Sequence, residues 1–201
     1  MSKRKYTKRR RAQQEAATRD RIVSATAELH GELGPRDATV SAIAARAGVQ
    51  RLTVYRHFPD DHALFEACTA HWLDANPPPA PADWRDHTDP EQRTRTALAA
   101  LYTYYRRTSE MWRLVHRDRD DVPALRAPLR GFEQHLDGIR EDLFGKWKPG
   151  RRQAGAVRAI LGHYLKYPTW RSLDQEGLSD EEMADIAVRC LHCLVPAPAS
   201  G

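Results

Sequence analysis

The sequence predicts an all-α protein: an N-terminal three-helix domain built on a helix-turn-helix, then a helical C-terminal half, about nine helices in all. Three observations predict it. Apolar residues recur at spacings of three and four along most segments, where a half-buried strand would alternate by two. Helix-starting side chains (Thr39, Asp60, Asp89 and Ser179) stand just ahead of those stripes. The positive charge also gathers at one end. Residues 1–58 hold 13 Lys and Arg against 5 Asp and Glu, a net +8, whereas residues 59–201 hold 19 against 22, a net −3.

Residues 1–13 begin with a basic block of Lys3, Arg4, Lys5, Lys8, Arg9, Arg10 and Arg11, expected to be disordered by self-repulsion. It reads either as an arm for phosphates and an adjacent minor groove or as a solubilising terminus. A first helix is predicted from about Gln14 to Leu33, with Ile22, Ala25, Leu29 and Leu33 inward and Gly34-Pro35 as its stop. The second carries Val40, Ile43, Ala44 and Ala47 on one stripe, between Thr39 as cap and Gly48 as a left-handed terminator. The third runs from about Arg51 to Phe58, with Val54 and Phe58 inward and Val49 packing in the turn. Two short helices about a glycine turn make a helix-turn-helix. The outer face of the second of them carries Gln50, Arg51, Leu52, Thr53, Tyr55 and Arg56, side chains suited to phosphates and base edges.

Asp60 is the expected cap of a fourth helix, with Leu64, Cys68 and His71 or Trp72 along one side, completing a domain over residues 14–75. Consecutive prolines from Pro77 cannot continue it, so residues 76–88 are predicted as a Pro-rich, partly mobile linker. A C-terminal domain is expected over residues 89–195. Asp89-Pro-Glu-Gln92 starts its first helix, with Leu98, Leu101, Tyr102 and Tyr105 inward. A separate short helix is predicted over about Ser109–Arg117. The next carries Leu125, Leu129, Phe132, Leu136, Ile139 and Leu143 and ends at Lys148-Pro-Gly150. Then come Val157, Ile160, Leu161 and Tyr164, an interruption near Pro168, and a last helix opened by the capping box Ser179–Glu182. Residues 196–201 are expected to be a disordered tail.

The residues of the motif, Thr39-Val40, Ile43-Ala44, Ala47-Gly48-Val49, Thr53-Val54-Tyr55 and His57-Phe58-Pro59, resemble the N-terminal domain of the tetracycline-repressor (TetR) family. The likeness spans about Arg21 to Cys68 and fills most positions of the family pattern. It implies a homodimeric, all-helical regulator whose C-terminal half dimerises and binds a small effector. It also implies that Thr39, Thr53, Tyr55 and His57 touch the DNA backbone, while Gln50, Arg51 and Arg56 meet bases or phosphates. Leu52 is open to two readings, contact with a thymine methyl or simple packing. One position departs from the pattern: where family members commonly carry a phosphate-binding lysine early in the fourth helix, this chain has Asp61.

The partners these readings imply are a palindromic duplex, a second copy of the chain, and a small apolar or aromatic effector. Tyr102, Tyr105, Trp112, His116, Phe132, His135, His163 and Tyr167 are the candidate effector pocket. Val157, Ile160, Leu161, Tyr164, Met183, Ile186, Cys190 and Leu194 are the candidate dimer seam, two apolar helices that would form a four-helix contact with their copies. Nothing points to an enzyme: there is no nucleophile elbow, P-loop, dinucleotide fingerprint or paired metal motif. No cofactor or metal is expected. Cys190-x-x-Cys193 falls within an apolar stripe with no second ligand pair near it, which favours packing over metal chemistry. With no apolar run of bilayer length and no signal-peptide pattern, the expected location is the cytoplasm. Two other classes fit less well: a constitutive or architectural DNA-binding factor without an effector site, and an enzyme or sensor domain carrying a helix-turn-helix head.

Overall fold

Nine α-helices and two 3-10 turns, with no strand, make up the described part of the computed structural model, residues 3–195. The expected tail at 196–201 and residues 1–2 of the arm lie outside the described residues. The helices are α1 (Lys3–Glu32), α2 (Val40–Ala47), α3 (Arg51–His57), α4 (Asp61–Ala75), α5 (Pro90–Asp118), α6 (Arg126–Trp147), α7 (Ala154–Tyr164), α8 (Tyr167–Gln175) and α9 (Asp180–Leu194). The chain divides into two units, one of residues 1–77 with 110–129 and one of residues 78–109 with 130–201.

In the first unit, α1, α2, α3 and α4 close around Ile22, Leu29, Ile43, Ala44, Val54, Phe58, Leu64 and Cys68. Burying a Leu, Ile, Val or Phe is worth about 1.5–3 kcal/mol each, so this core is what holds such short helices in place. A second cluster sets Phe65 of α4 against Ala124 and Leu125 of the 3-10 turn Pro123–Leu125. Phe65 lay outside the expected α4 stripe.

The α1–α2 turn is held by charge. The buried Asp118 carboxylate accepts from the Arg36 N–H at 3.0 Å and from Arg117 Nε at 2.6 Å and Nη2 at 2.9 Å. Arg117 Nη2 also donates to the Leu33 carbonyl at 2.8 Å, one of the last carbonyls of the α1 end. The hydrogen-bonded Arg117 guanidinium holds Asp118 below the usual carboxylate range. Gly34 passes over this cluster with φ +94°, and a Cβ there would stand 2.5 Å from Asp118 Oδ2 and closer still to Arg117 Nη2. Only glycine fits both demands.

In the second unit the start of α5 buries Leu98, Leu101, Tyr102 and Tyr105 completely or nearly so. The predicted linker is not loose. Pro81–Trp84 forms a 3-10 turn whose Trp84 is 1% exposed and donates from Nε1 to Asp142 Oδ2 at 2.9 Å. Arg93 joins the same carboxylate at 2.6 and 3.0 Å, and its Nη1 donates to the carbonyls of Trp84, Arg85 and His87. One guanidinium thus satisfies a run of turn carbonyls that prolines upstream cannot help to pair.

Two boundaries differ from the sequence-based expectation, and a third agrees with it. Helix α1 starts at Lys3, where disorder was expected; Lys and Arg are good helix formers and no proline intervenes before Pro35. Helix α5 runs unbroken through residues 106–109, where two helices were expected. Nothing there stops a helix, and Thr108 returns its hydroxyl to the Tyr104 carbonyl at 2.6 Å. Near Pro168 the chain does break, into α7 and α8, and the carbonyls freed at Tyr164 and Leu165 accept from Tyr102 and Tyr105 hydroxyls at 3.0 and 2.8 Å.

Candidate nucleic-acid interface

The helix-turn-helix is set by its caps. The Thr39 hydroxyl accepts from the Ala42 N–H at 3.2 Å, opening α2. Gly48 ends it at φ +65°, with its own N–H to the Ala45 carbonyl at 3.2 Å and the Val49 N–H to Ala44 at 2.9 Å. The chain then re-enters α3 two residues later, with Val54 and the following Phe58 buried at 1% and 2% exposure. Arg19 of α1 lies over the Phe58 ring at 4.8 Å, bracing the same end of α3.

With Val54 and Phe58 inward, the opposite face is fixed by helical spacing. Gln50, Arg51, Leu52, Tyr55 and Arg56 are exposed, as is Thr39. Thr53 and His57 are half-buried, and His57 Nε2 is covered, with no hydrogen-bond partner among the described residues. That separates His57 from the outward set, although the two were expected to act together. The cations divide in the same way. Arg46 on α2 is tied to Glu28 and Glu32 of α1 at 3.3 and 2.8 Å, so it braces the domain. Arg51 and Arg56 on α3 join no ion pair among the described residues. An outward row with two uncommitted guanidiniums, a hydroxyl and an amide suits phosphate and base-edge hydrogen bonding. Asp61, exposed at the first position of α4, supplies no cation beside it.

The eight candidate pocket residues are divided between the two units. Trp112 and His116 belong to the first unit, where Trp112 meets Trp72 edge-on at 6.5 Å and His116 at 5.9 Å. The others belong to the second unit. There Tyr105, Phe132, His135 and Tyr167 do cluster, together with Tyr104 and Trp170, which the sequence reading missed. Tyr102 and Tyr105 are 0% exposed, with hydroxyls given to main-chain carbonyls, and Tyr167 donates to the Ser109 carbonyl at 3.1 Å. These three are core with satisfied hydroxyls rather than open lining. His163 is exposed, 3.5 Å from the Thr169 hydroxyl. His135 reaches the Pro79 carbonyl at 2.8 Å. A shallow open groove of about 500 Å³ runs instead along α5 past Gln92, Arg95, Thr96, Ala99, Ala100 and Thr103.

The candidate seam residues also divide. Val157, Leu161 and Met183 are 0–2% exposed inside the chain's own body, on helices α7 and α9, which pack on each other. They are core, not surface. Ile160, Tyr164, Ile186, Cys190 and Leu194 stay half-buried, and Tyr164 Oη lies 3.7 Å from Cys190 Sγ. All three cysteines are thiols, and burial pushes that of Cys68 up to about 12. Among the described residues no group of three or more His, Cys, Asp or Glu could hold a metal ion, and no helix is long and apolar enough to cross a membrane.

Residues 22–68 match the sequence model of the bacterial regulatory proteins of the tetR family. No curated protein matches the chain. Solved structures do. A TetR-like transcriptional regulator from Rhodococcus sp. RHA1 superposes with TM-score 0.59 at 15% identity, over 90% of this chain and 97% of that one. A TetR-family regulator from Syntrophomonas wolfei gives 0.60 at 14% identity, over 92% and 98%. The multidrug binding protein EbrR, complexed with imidazole, gives 0.55 at 19% identity, over 90% and 92%. At these identities the structures establish the fold. The chain therefore carries at residues 22–68 the N-terminal helix-turn-helix domain of the tetR-family bacterial regulatory proteins, in an all-α fold shared with transcriptional regulators of that family.

Proposed function

We propose that the protein is a dimeric, sequence-specific DNA-binding transcriptional regulator of the cytoplasm, a repressor that leaves a palindromic operator when a small effector binds. The observation that carries this reading is the outward face of α3. Arg51, Leu52, Tyr55 and Arg56 stand exposed on a short helix whose other face is locked in the core. Thr39, Gln50, Thr53 and His57 flank that row and would fix its register on the backbone. A two-fold dimer would put two copies of α3 into successive major grooves, which requires an inverted repeat with half-sites about 34–36 Å apart or a multiple of that. The half-exposed row of Ile160, Tyr164, Ile186, Cys190 and Leu194 supports a self-complementary seam.

Effector release rests on a difference in affinity: a ligand that binds one conformation of the C-terminal half more tightly shifts the population away from the DNA-competent one. That a protein of the same fold, EbrR, is a multidrug binding protein complexed with imidazole supports a small-molecule ligand. Capture of genomic fragments at several salt concentrations, followed by sequencing of protected sites, tests the reading. A recovered inverted repeat, bound by two copies of the chain, is the expected result. Binding with no preferred sequence would favour an architectural factor instead.

A further inference from the structure

The exposed face of α3 contains an oddity that charge and hydrogen bonding do not explain. Among the described residues four large apolar side chains are exposed, Tyr6, Leu33, Leu52 and Tyr55, and two of them sit on this seven-residue helix. Leu52 is the most exposed of the four, at 77%. Its place is the second residue of α3, at the end of the helix where the chain enters from the turn.

No internal demand accounts for a leucine there. The core beneath α3 is already filled by Val54 and Phe58. Helix propensity does not ask for it either, since Arg, Lys and Gln serve about as well as Leu. Its neighbours one turn on are Tyr55 and Arg56, both exposed. The apolar surface of Leu52 is therefore left for something outside the chain. If α3 enters a major groove, the residues at its N-terminal end face the base edges. Those edges present hydrogen-bond donors and acceptors, with a single apolar group among them, the C5-methyl of thymine.

We infer that Leu52 is a specificity-determining residue, selecting thymine at one fixed position of each half-site by apolar contact with its methyl group. The inference rests on the DNA-binding reading and deepens it: Arg51, Tyr55 and Arg56 supply polar contacts, and Leu52 supplies the one apolar contact on the same face.

The test uses the full chain and a duplex selected by it from a random pool. Each thymine of that duplex is replaced singly by deoxyuridine, which removes the methyl and leaves base pairing intact. One thymine per half-site should be sensitive, its replacement lowering wild-type affinity about fourfold, the weight of one buried methyl. In Leu52→Ala the thymine duplex should bind about that much more weakly, and the same deoxyuridine replacement should change nothing further. The inference is overturned if every deoxyuridine duplex binds the wild type as the thymine duplex does. It is overturned equally if the loss persists in L52A, since another residue then reads the methyl. Leu52 is exposed, so its truncation leaves the core intact, and the wild-type scan needs no variant at all. Failure to select any duplex is a different result: it sinks the DNA-binding reading, and this inference with it.

Discussion

Gly34 and Gly48 both lie at positive φ, but the surroundings differ. A Cβ at Gly48 meets nothing within 4 Å, whereas one at Gly34 would collide with the Asp118 carboxylate and the Arg117 guanidinium. Left-handed geometry alone costs an L-residue roughly 1–2 kcal/mol, so G48A should lose about that much stability. G34A should lose clearly more, because the Arg36–Asp118–Arg117 cluster must also shift. Equal losses in denaturant melts would mean that the cluster yields freely. His30 is the second residue with a measurable consequence. It is 5% exposed, packed on Phe65 at 4.6 Å, and its Nδ1 lies 3.6 Å from Cys68 Sγ. Burial lowers its pKa from 6.5 to about 4, against a smaller upward pull from Asp118. Between those values the unfolded chain binds a proton that the folded chain refuses, so stability falls as pH drops from about 6.5 towards 4. A shift of that size corresponds to something on the order of 3 kcal/mol. Melts of wild type and His30→Gln across this range should diverge, the variant showing the flatter slope. Parallel slopes would assign the acid sensitivity elsewhere.

At the level of elements, what could be read from the sequence was what is written locally. Thr39, Asp60, Asp89 and Ser179 each cap the helix they precede, because a cap and its partner N–H lie within three residues. The α2–turn–α3 unit was legible for the same reason. Partners distant in sequence were not. Nothing near Arg93 announces that it will meet Asp142 forty-nine residues on and hold the 3-10 turn at Trp84. Nor does Tyr105 reveal that its hydroxyl will pair with the carbonyl of Leu165. A stripe of aromatic residues therefore suggested a pocket where the fold builds a capped core. Removing Arg93 tests the buried pair. R93A leaves a half-buried carboxylate and three carbonyls without their donor, so a loss of about 3–5 kcal/mol is expected, together with faster amide exchange over residues 82–88. Unchanged exchange there would show the turn to be held by Trp84 alone. The start of α1 carries a further expectation. Its first turns hold a run of Lys and Arg, and residues 8–13 are exposed. Deleting residues 2–11 should weaken DNA binding and make the salt dependence shallower, by about 0.9 in log–log slope for each phosphate that the segment neutralises. A slope that does not move removes this segment from the interface.

For the whole molecule, the positive charge gathers at one end of the sequence. The basic helix-turn-helix end carries a net +8 over residues 1–58, and the remainder a net −3. A polyanion is thus drawn to the end that presents α3. The candidate pocket and the candidate seam were the least legible parts. Both depend on which apolar residues the chain keeps for itself, and Val157, Leu161, Met183, Tyr102 and Tyr105 proved to be kept. The central claim is that the exposed face of α3 reads a duplex. It is tested most directly by equilibrium binding of the wild type and the R51A/Y55A double variant to the selected operator at fixed salt. Neither side chain supports the core, so helical content and melting temperature should be unchanged, while affinity falls by at least about thirtyfold, two contacts at roughly 1 kcal/mol or more each. Wild-type affinity and footprint retained in the double variant would contradict the account.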